Sequence, residues 1–117
     1  MRALIVLMFM ALPVGAQVAP CDPNQPQSAL TQCVSEAYQA WDGLLNEAYQ
    51  RVIGIQDASG EERLRQAQRA WITYRDLACE MERARYDGGS IAPMIQLQCL
   101  TRLTERRTRD LEDLLRF

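Results

Sequence analysis

The chain is short, acidic and restricted in its basic residues. It has 117 residues, 15 acidic against 13 basic side chains, a formal net charge of −2, no histidine and no lysine. Without histidine, the chain lacks the usual acid–base group near neutral pH and the commonest metal ligand. The negative charge disfavours a broad basic surface for nucleic acid or anionic lipid. We therefore expect a protein that is not an enzyme, uses no metal or cofactor, and has no nucleic-acid partner.

Residues 1–16 have the pattern of a secretory signal peptide. Arg2 supplies a positive charge, and residues 3–12 form an apolar run that is too short to span a bilayer as a helix. Small residues precede the predicted cleavage after Ala16. We therefore predict export, to the periplasm or out of the cell.

The predicted mature chain, residues 17–117, has the length of one domain. Without Arg2 it carries 12 arginines against 15 acids, a formal charge of −3. A lipid anchor on Cys21 is the alternative fate of the N-terminus, but Pro20 stands where lipoprotein processing requires a small residue. The mature form is therefore predicted to have no membrane anchor.

Periodicity and turn residues predict three helices. The first is capped by Ser28 and ends near Gly54, with apolar residues at steps of three and four. A capping box formed by Ser59 and Glu62 begins the second helix, which runs to about Tyr86. The third continues to the C-terminus, and no strand pattern of strict alternation is present.

The segment Asp87, Gly88, Gly89 and Ser90 separates the second and third helices. It offers a glycine able to adopt positive φ at the end of one helix and a serine to cap the next. Pro93 then falls in the first turn of the third helix, where its missing amide costs no hydrogen bond. The fold class is therefore an all-α, antiparallel three-helix bundle.

Four cysteines in an exported chain indicate two disulfides rather than a zinc site, because no closely spaced pair is present. Cys79 and Cys99 each lie ten residues from Gly89, so they reach the same height in a helical hairpin. Cys21 has only a flexible Pro-rich segment to cross before Cys33. The predicted bridges are Cys21–Cys33 and Cys79–Cys99.

The second helix carries an apolar stripe that is expected to face the core: Leu64, Ala67, Trp71, Tyr74, Ala78 and Met81. Gln68 and Arg75 border this stripe, Asp42 borders that of the first helix, and Arg107 falls within that of the third. These four polar residues form either a network that fixes helix register or a groove in which the two arginines bind an anion.

The same residues resemble a known family. The pattern comprises Asp42-x-x-Leu45-Asn46-x-x-Tyr49, Gln68-x-x-Trp71-x-x-Tyr74-Arg75-Asp76-x-x-Cys79, Gly88-Gly89-Ser90-Ile91-x-Pro93, and Cys99 with Leu103-Thr104-x-x-Arg107-x-x-x-Leu111. It resembles the LprI-type lysozyme-inhibitor-like family of small exported bacterial proteins. The resemblance implies a helical, disulfide-stapled extracytoplasmic domain and, for the family's namesake, inhibition of lysozyme.

Two functions follow as hypotheses. The first is inhibition of a basic lysozyme-type muramidase or another secreted protein, with Asp87, Gly88, Gly89 and Ser90 as the partner-binding turn. An acidic domain is steered toward a cationic enzyme, and a pre-ordered turn loses little entropy on binding. The alternative is a structural or accessory module of the cell envelope that binds another protein or a small anion and has no effect on lysozyme.

Overall fold

The computed structural model describes residues 18–116. Helix α1 spans Gln27–Gly54, α2 spans Ala58–Ala84, and α3 spans Ala92–Asp113, followed by a short 3-10 helix at Leu114–Arg116. No strand occurs within this part of the chain. The all-α class and the three helices are confirmed, whereas the predicted signal peptide at residues 1–16 lies outside the described residues.

The predicted start of α1 was wrong by two residues. The N-cap is Pro26, which has no side-chain donor or acceptor, and its carbonyl oxygen accepts from the amide of Leu30 at 2.9 Å. Ser28 therefore lies inside the first turn rather than at the cap. Proline's fixed φ suits this position, so the helix begins without a side-chain hydrogen bond.

The predicted capping box of α2 was also wrong. Asp57 is the N-cap, and its carboxylate accepts a hydrogen bond from the amide of Gly60 at 2.7 Å. Ser59 lies within the helix. A carboxylate at this position satisfies a free amide and also favours the positive end of the helix dipole, so Asp57 outcompetes the serine.

The turn into α3 matches the prediction in part. Gly88 has φ of +83°, and Pro93 lies in the first turn, as expected. The N-cap, however, is Ile91, without a side-chain cap bond, so the assignment of Ser90 as the cap was wrong. Helix α2 ends at Ala84, two residues before the expected Tyr86.

Both predicted disulfides are confirmed. Cys21–Cys33 joins the N-terminal segment to α1 with a Cα–Cα distance of 5.9 Å, and Cys79–Cys99 joins α2 to α3 at 5.4 Å. Cys79 and Cys99 are fully buried. The second bridge therefore lies within the packed interior and fixes the rotation of α2 against α3.

Helix α3 is the central helix of the bundle, because α1 and α2 both pack mainly on it and touch each other little. Small residues at its centre, Thr104 and Thr108, are fully buried. Next to them is an apolar cluster formed by Leu45, Ala48, Val52, Leu64 and Leu111. The limited contact between α1 and α2 leaves room for a groove between these two helices.

The predicted core face of α2 was wrong in its rotation. Tyr74 and Met81, expected in the core, are 62% and 63% exposed, whereas Arg75 is only 9% exposed. The inward face is instead marked by Leu64, Gln68, Arg75 and Cys79, at steps of four, seven and four. Successive residues of a helix point about 100° apart around its axis. The buried face therefore includes Arg75, which was predicted at the border of the stripe, and leaves out its neighbour Tyr74, which was predicted in the core.

Candidate functional site

Two regions contain all but one of the polar residues singled out from the sequence, and the exception is Arg107. The first is the tip of the α2–α3 hairpin, residues 87–90, all of which are exposed. Its backbone is closed by the amide of Gly89, which donates to the Tyr86 carbonyl oxygen at 2.9 Å. A Cβ atom on Gly89 would lie 3.1 Å from that oxygen, so the turn is tight. The tip is therefore ordered by its backbone and leaves its side chains exposed.

Side-chain contacts below the tip hold the two helices together. Arg83 donates to Gln96 at 2.6 Å, and Arg102 forms an ion pair with Glu82 at 2.6 Å. The Cys79–Cys99 bridge lies further along the same hairpin. These three cross-links restrict splaying of the helices and keep the turn pre-ordered.

The second region is a groove of about 400 Å³ between α1 and α2. We call it the polar groove and define it by its polar lining residues, Asp42, Asn46, Gln50, Gln68, Arg69 and Arg75. Arg65 also lines it but is engaged by Glu61 at 3.1 Å. The structure therefore brings together three of the four polar residues selected from the sequence: Asp42, Gln68 and Arg75.

Arg75 is held by two aromatic rings. The guanidinium carbon lies 5.1 Å from the Trp71 ring centroid and 5.9 Å from that of Tyr38. The Nε atom donates to the Asp76 carboxylate at 2.9 Å. Burial of a charge is costly unless it is compensated, and here one carboxylate and two ring faces provide the compensation.

Arg107 does not line the polar groove. It borders a different cavity with Leu64 and Ala67, and its Nε atom donates to Gln68 Oε1 at 3.0 Å. Burial lowers the pKa of Arg107 below its usual value, and nearby Asp110 opposes this shift. The expected groove lined by both Arg75 and Arg107 is therefore not formed, and Arg107 reaches the polar groove only through Gln68.

A family model described as "Lysozyme inhibitor LprI" matches residues 21–111, which contain both disulfides, the hairpin tip and the polar groove. The chain belongs to the LprI family. The family description is that of an inhibitor rather than an enzyme. No helix in residues 18–116 is long and apolar enough to cross a membrane.

This LprI-family chain is also similar to an uncharacterized protein of Rhizobium meliloti (strain 1021). The two are 34% identical over 128 residues, a comparison that covers 97% of this chain and 92% of the relative. No solved structure matches the chain. Because the relative is described only as uncharacterized, the similarity adds no activity.

Three residues of this LprI-family chain were missed by the sequence reasoning as parts of a site. Tyr38 provides the second ring against Arg75, Arg69 lines the polar groove, and Tyr86 is 44% exposed beside the hairpin tip. No local pattern in the sequence pairs Tyr38 with Arg75. The position of Tyr86 next to the glycine turn was a signal that was available in the sequence.

The Tyr38 hydroxyl gives a pH-dependent test of this arrangement. Burial raises the pKa of Tyr38 above its usual value of 10.0, Arg75 lowers it, and Asp42 and Asp76 raise it further. Because the pKa of Tyr38 is higher in the folded than in the unfolded state, its protonated hydroxyl contributes fully to the free energy of unfolding below pH 10. This contribution is lost as the pH rises through the folded-state pKa. We expect the free energy of unfolding to fall more steeply above pH 10 in the wild type than in Tyr38→Phe. Urea unfolding across this range measures it, and parallel curves would contradict the burial of this hydroxyl.

Proposed function

We propose that this protein is an exported inhibitor of lysozyme-type muramidases, acting in the periplasm or outside the cell. The observation that carries the proposal is the family match over residues 21–111. In this proposal the chain binds and inhibits the muramidase and does not itself hydrolyse a cell-wall substrate. The hairpin tip at residues 87–90, together with Tyr86, is the proposed contact surface.

Charge supports a cationic partner. The predicted mature chain has a formal charge of −3, with 15 acidic residues against 12 arginines after removal of Arg2. Opposite net charges accelerate diffusional encounter, and dissolved salt screens this attraction. Inhibition of a basic lysozyme should therefore weaken as ionic strength rises.

The geometry of the tip supports its use as an insertion element. Tyr86 presents an exposed aromatic ring, Asp87 an exposed carboxylate, and Gly88 and Gly89 allow close backbone approach. Aromatic side chains are enriched among residues that dominate binding energy. Since the hairpin is cross-linked below the tip, binding orders few additional residues.

The direct test is a titration of the oxidised protein against a basic lysozyme acting on cell-wall substrate. We expect saturable inhibition at low salt and weaker inhibition at physiological salt. Absence of inhibition at tens of micromolar in both buffers would reject the proposal. A non-reducing gel of the sample confirms that both disulfides are formed.

Variants of the tip separate a local contact from a general charge effect. Asp87→Arg is expected to weaken inhibition by about tenfold or more, a change of about 1.4 kcal/mol in binding free energy. Glu47→Arg makes the same charge change on the exposed face of α1 and should have a much smaller effect. An equal loss of inhibition in the two variants would mean that net charge causes the effect and that the hairpin tip is not the contact surface.

A further inference from the structure

The polar groove contains a buried cation with a free edge. Arg75 is 9% exposed, and its Nε atom is bonded to Asp76. Within residues 18–116 its two terminal nitrogens, Nη1 and Nη2, make no hydrogen bond to a protein acceptor. Neither nitrogen is among the fully buried polar atoms that lack a partner, and Arg75 is one of the residues that line the groove. The two nitrogens form the edge that binds a carboxylate with two parallel hydrogen bonds.

The aromatic contacts make this edge rigid. Trp71 and Tyr38 hold the guanidinium carbon at 5.1 and 5.9 Å from their ring centroids. An arginine held in this way loses little side-chain entropy when a ligand binds. The Arg75 guanidinium is therefore pre-organised to bind a planar anion.

Gln68 is oriented as a second donor. Arginine only donates hydrogen bonds, so the Gln68 atom bonded to Arg107 at 3.0 Å must be the amide oxygen. This assignment leaves the amide nitrogen of Gln68, a lining residue of the polar groove, without a hydrogen bond within the described residues. Arg107 is thus a positioning residue that acts on the groove through Gln68.

The remaining charged residues of the groove include both signs. Arg65 is paired with Glu61, and Arg75 is paired with Asp76. Arg69 and Asp42 form no ion pair within the described residues and line the same groove. Asn46, Gln50 and Tyr49 add neutral hydrogen-bonding groups. This combination suits a ligand that carries both a carboxylate and hydroxyl groups.

We propose that the polar groove binds a small carboxylated, polyhydroxylated molecule of the sugar-acid class. The carboxylate binds the Nη edge of Arg75 with support from Arg69 and Gln68, and the hydroxyl groups bind Asp42, Asn46 and Gln50. The groove volume of about 400 Å³ lies within the range of small-molecule sites. Arg75, the groove residue proposed to bind the carboxylate, precedes the hairpin tip by 12 residues of chain, roughly 18 Å along a helix. The groove is therefore separate from the surface proposed for lysozyme.

The test is a titration of the oxidised protein with glucuronate, followed by NMR of the arginine Nε–H and backbone amide signals. Glucose and acetate are matched probes, because one lacks the carboxylate and the other lacks the hydroxyl groups. We expect saturable shifts of the Arg75 and Gln68 signals with glucuronate, and binding at least tenfold weaker for glucose and acetate. Equal binding of glucose, binding of acetate or inorganic phosphate as tight as glucuronate, or no saturable shift would each overturn the proposal.

Variants of the residues proposed to bind the carboxylate and the hydroxyl groups make the test specific. Arg75→Lys keeps the charge but loses the two-nitrogen edge, and should weaken glucuronate binding at least tenfold. Arg69→Gln should weaken it several-fold by removing a positive charge, and Asp42→Ala should weaken it by removing an acceptor for the hydroxyl groups. Arg106→Gln removes an exposed arginine of α3 outside the groove and should leave affinity within twofold.

Because Arg75 is also part of the interior, its variant needs a folding check. Thermal unfolding of Arg75→Lys shows whether the helices remain assembled. Arg69 is exposed and makes no side-chain hydrogen bond within the described residues, so Arg69→Gln tests the site even if Arg75→Lys does not fold. Unchanged affinity in Arg69→Gln, or a loss in Arg106→Gln as large as in Arg69→Gln, would overturn the proposal.

Discussion

Replacing both Cys79 and Cys99 by alanine is expected to lower the free energy of unfolding by about 4 kcal/mol. Closing a loop of 20 residues restricts the unfolded chain by about 3 kcal/mol in the loop-entropy treatment. Both sulfur atoms are also fully buried, so their removal leaves unfilled space between α2 and α3. Urea unfolding of the double variant against the wild type measures the loss.

The Cys21–Cys33 bridge provides the matched comparison. It closes a loop of 12 residues and ties the N-terminal segment to α1, and its cysteines are only half-buried. Detachment of that segment leaves the contacts of α1 with α3 in place, so we expect Cys21→Ala with Cys33→Ala to lose about 2 kcal/mol. A larger loss here than for the Cys79 and Cys99 pair would contradict the central position assigned to the second bridge.

Replacing Cys79 and Cys99 by alanine is also expected to weaken the proposed inhibition of lysozyme. Without the Cys79–Cys99 bridge, the α2–α3 hairpin is held by the Arg83–Gln96 and Arg102–Glu82 contacts, of which the second is partly exposed. Exposed ion pairs contribute little to stability. The turn at residues 87–90 therefore loses order, and inhibition should weaken even at temperatures where the variant remains folded.

Leu111→Ala is expected to be the most destabilising single core substitution considered, at about 3 kcal/mol. Leu111 is fully buried and belongs to the cluster with Leu45, Val52 and Leu64, so it joins α3 to both other helices. Truncation removes apolar contact with α1 and α2 together. Thermal and urea unfolding measure the effect.

Leu114 is the control for Leu111. Leu114 follows Leu111 by three residues, but it lies in the 3-10 helix and is 48% exposed. Leu114→Ala should cost less than about 1 kcal/mol, as expected for a surface substitution. Similar losses for the two variants would mean that the C-terminal turn packs more closely than the structure shows.

The identity and order of the helices were determined by the sequence. Apolar residues at steps of three and four, with Gly54 and Gly88 at the breaks, specify three helices because these patterns act locally. The cysteine pairing was also predictable, since equal distances from Gly89 put Cys79 and Cys99 at one height of a hairpin. The resemblance to the LprI family was visible in the order and spacing of these residues, and the match over residues 21–111 shows membership.

The helix caps were decided by competition between neighbours. Asp57 and Ser59 both have side chains able to cap α2, and they lie only two residues apart. The structure selects Asp57, whose carboxylate reaches the Gly60 amide. Local preference identifies the region of such a boundary, and small energy differences select the residue.

Only the tertiary structure decided which face of α2 is buried and how the polar residues are grouped. Tyr74 and Arg75 are adjacent in sequence, yet one is 62% exposed and the other 9%. Arg75 and Cys79, one helical turn apart, are both buried because α2 packs on α3 along this side, which the apolar stripe did not indicate. The contacts of Arg75 with Tyr38 and of Gln68 with Arg107 join residues 37 and 39 positions apart. Such contacts depend on how the three helices pack, which no local pattern in the chain encodes.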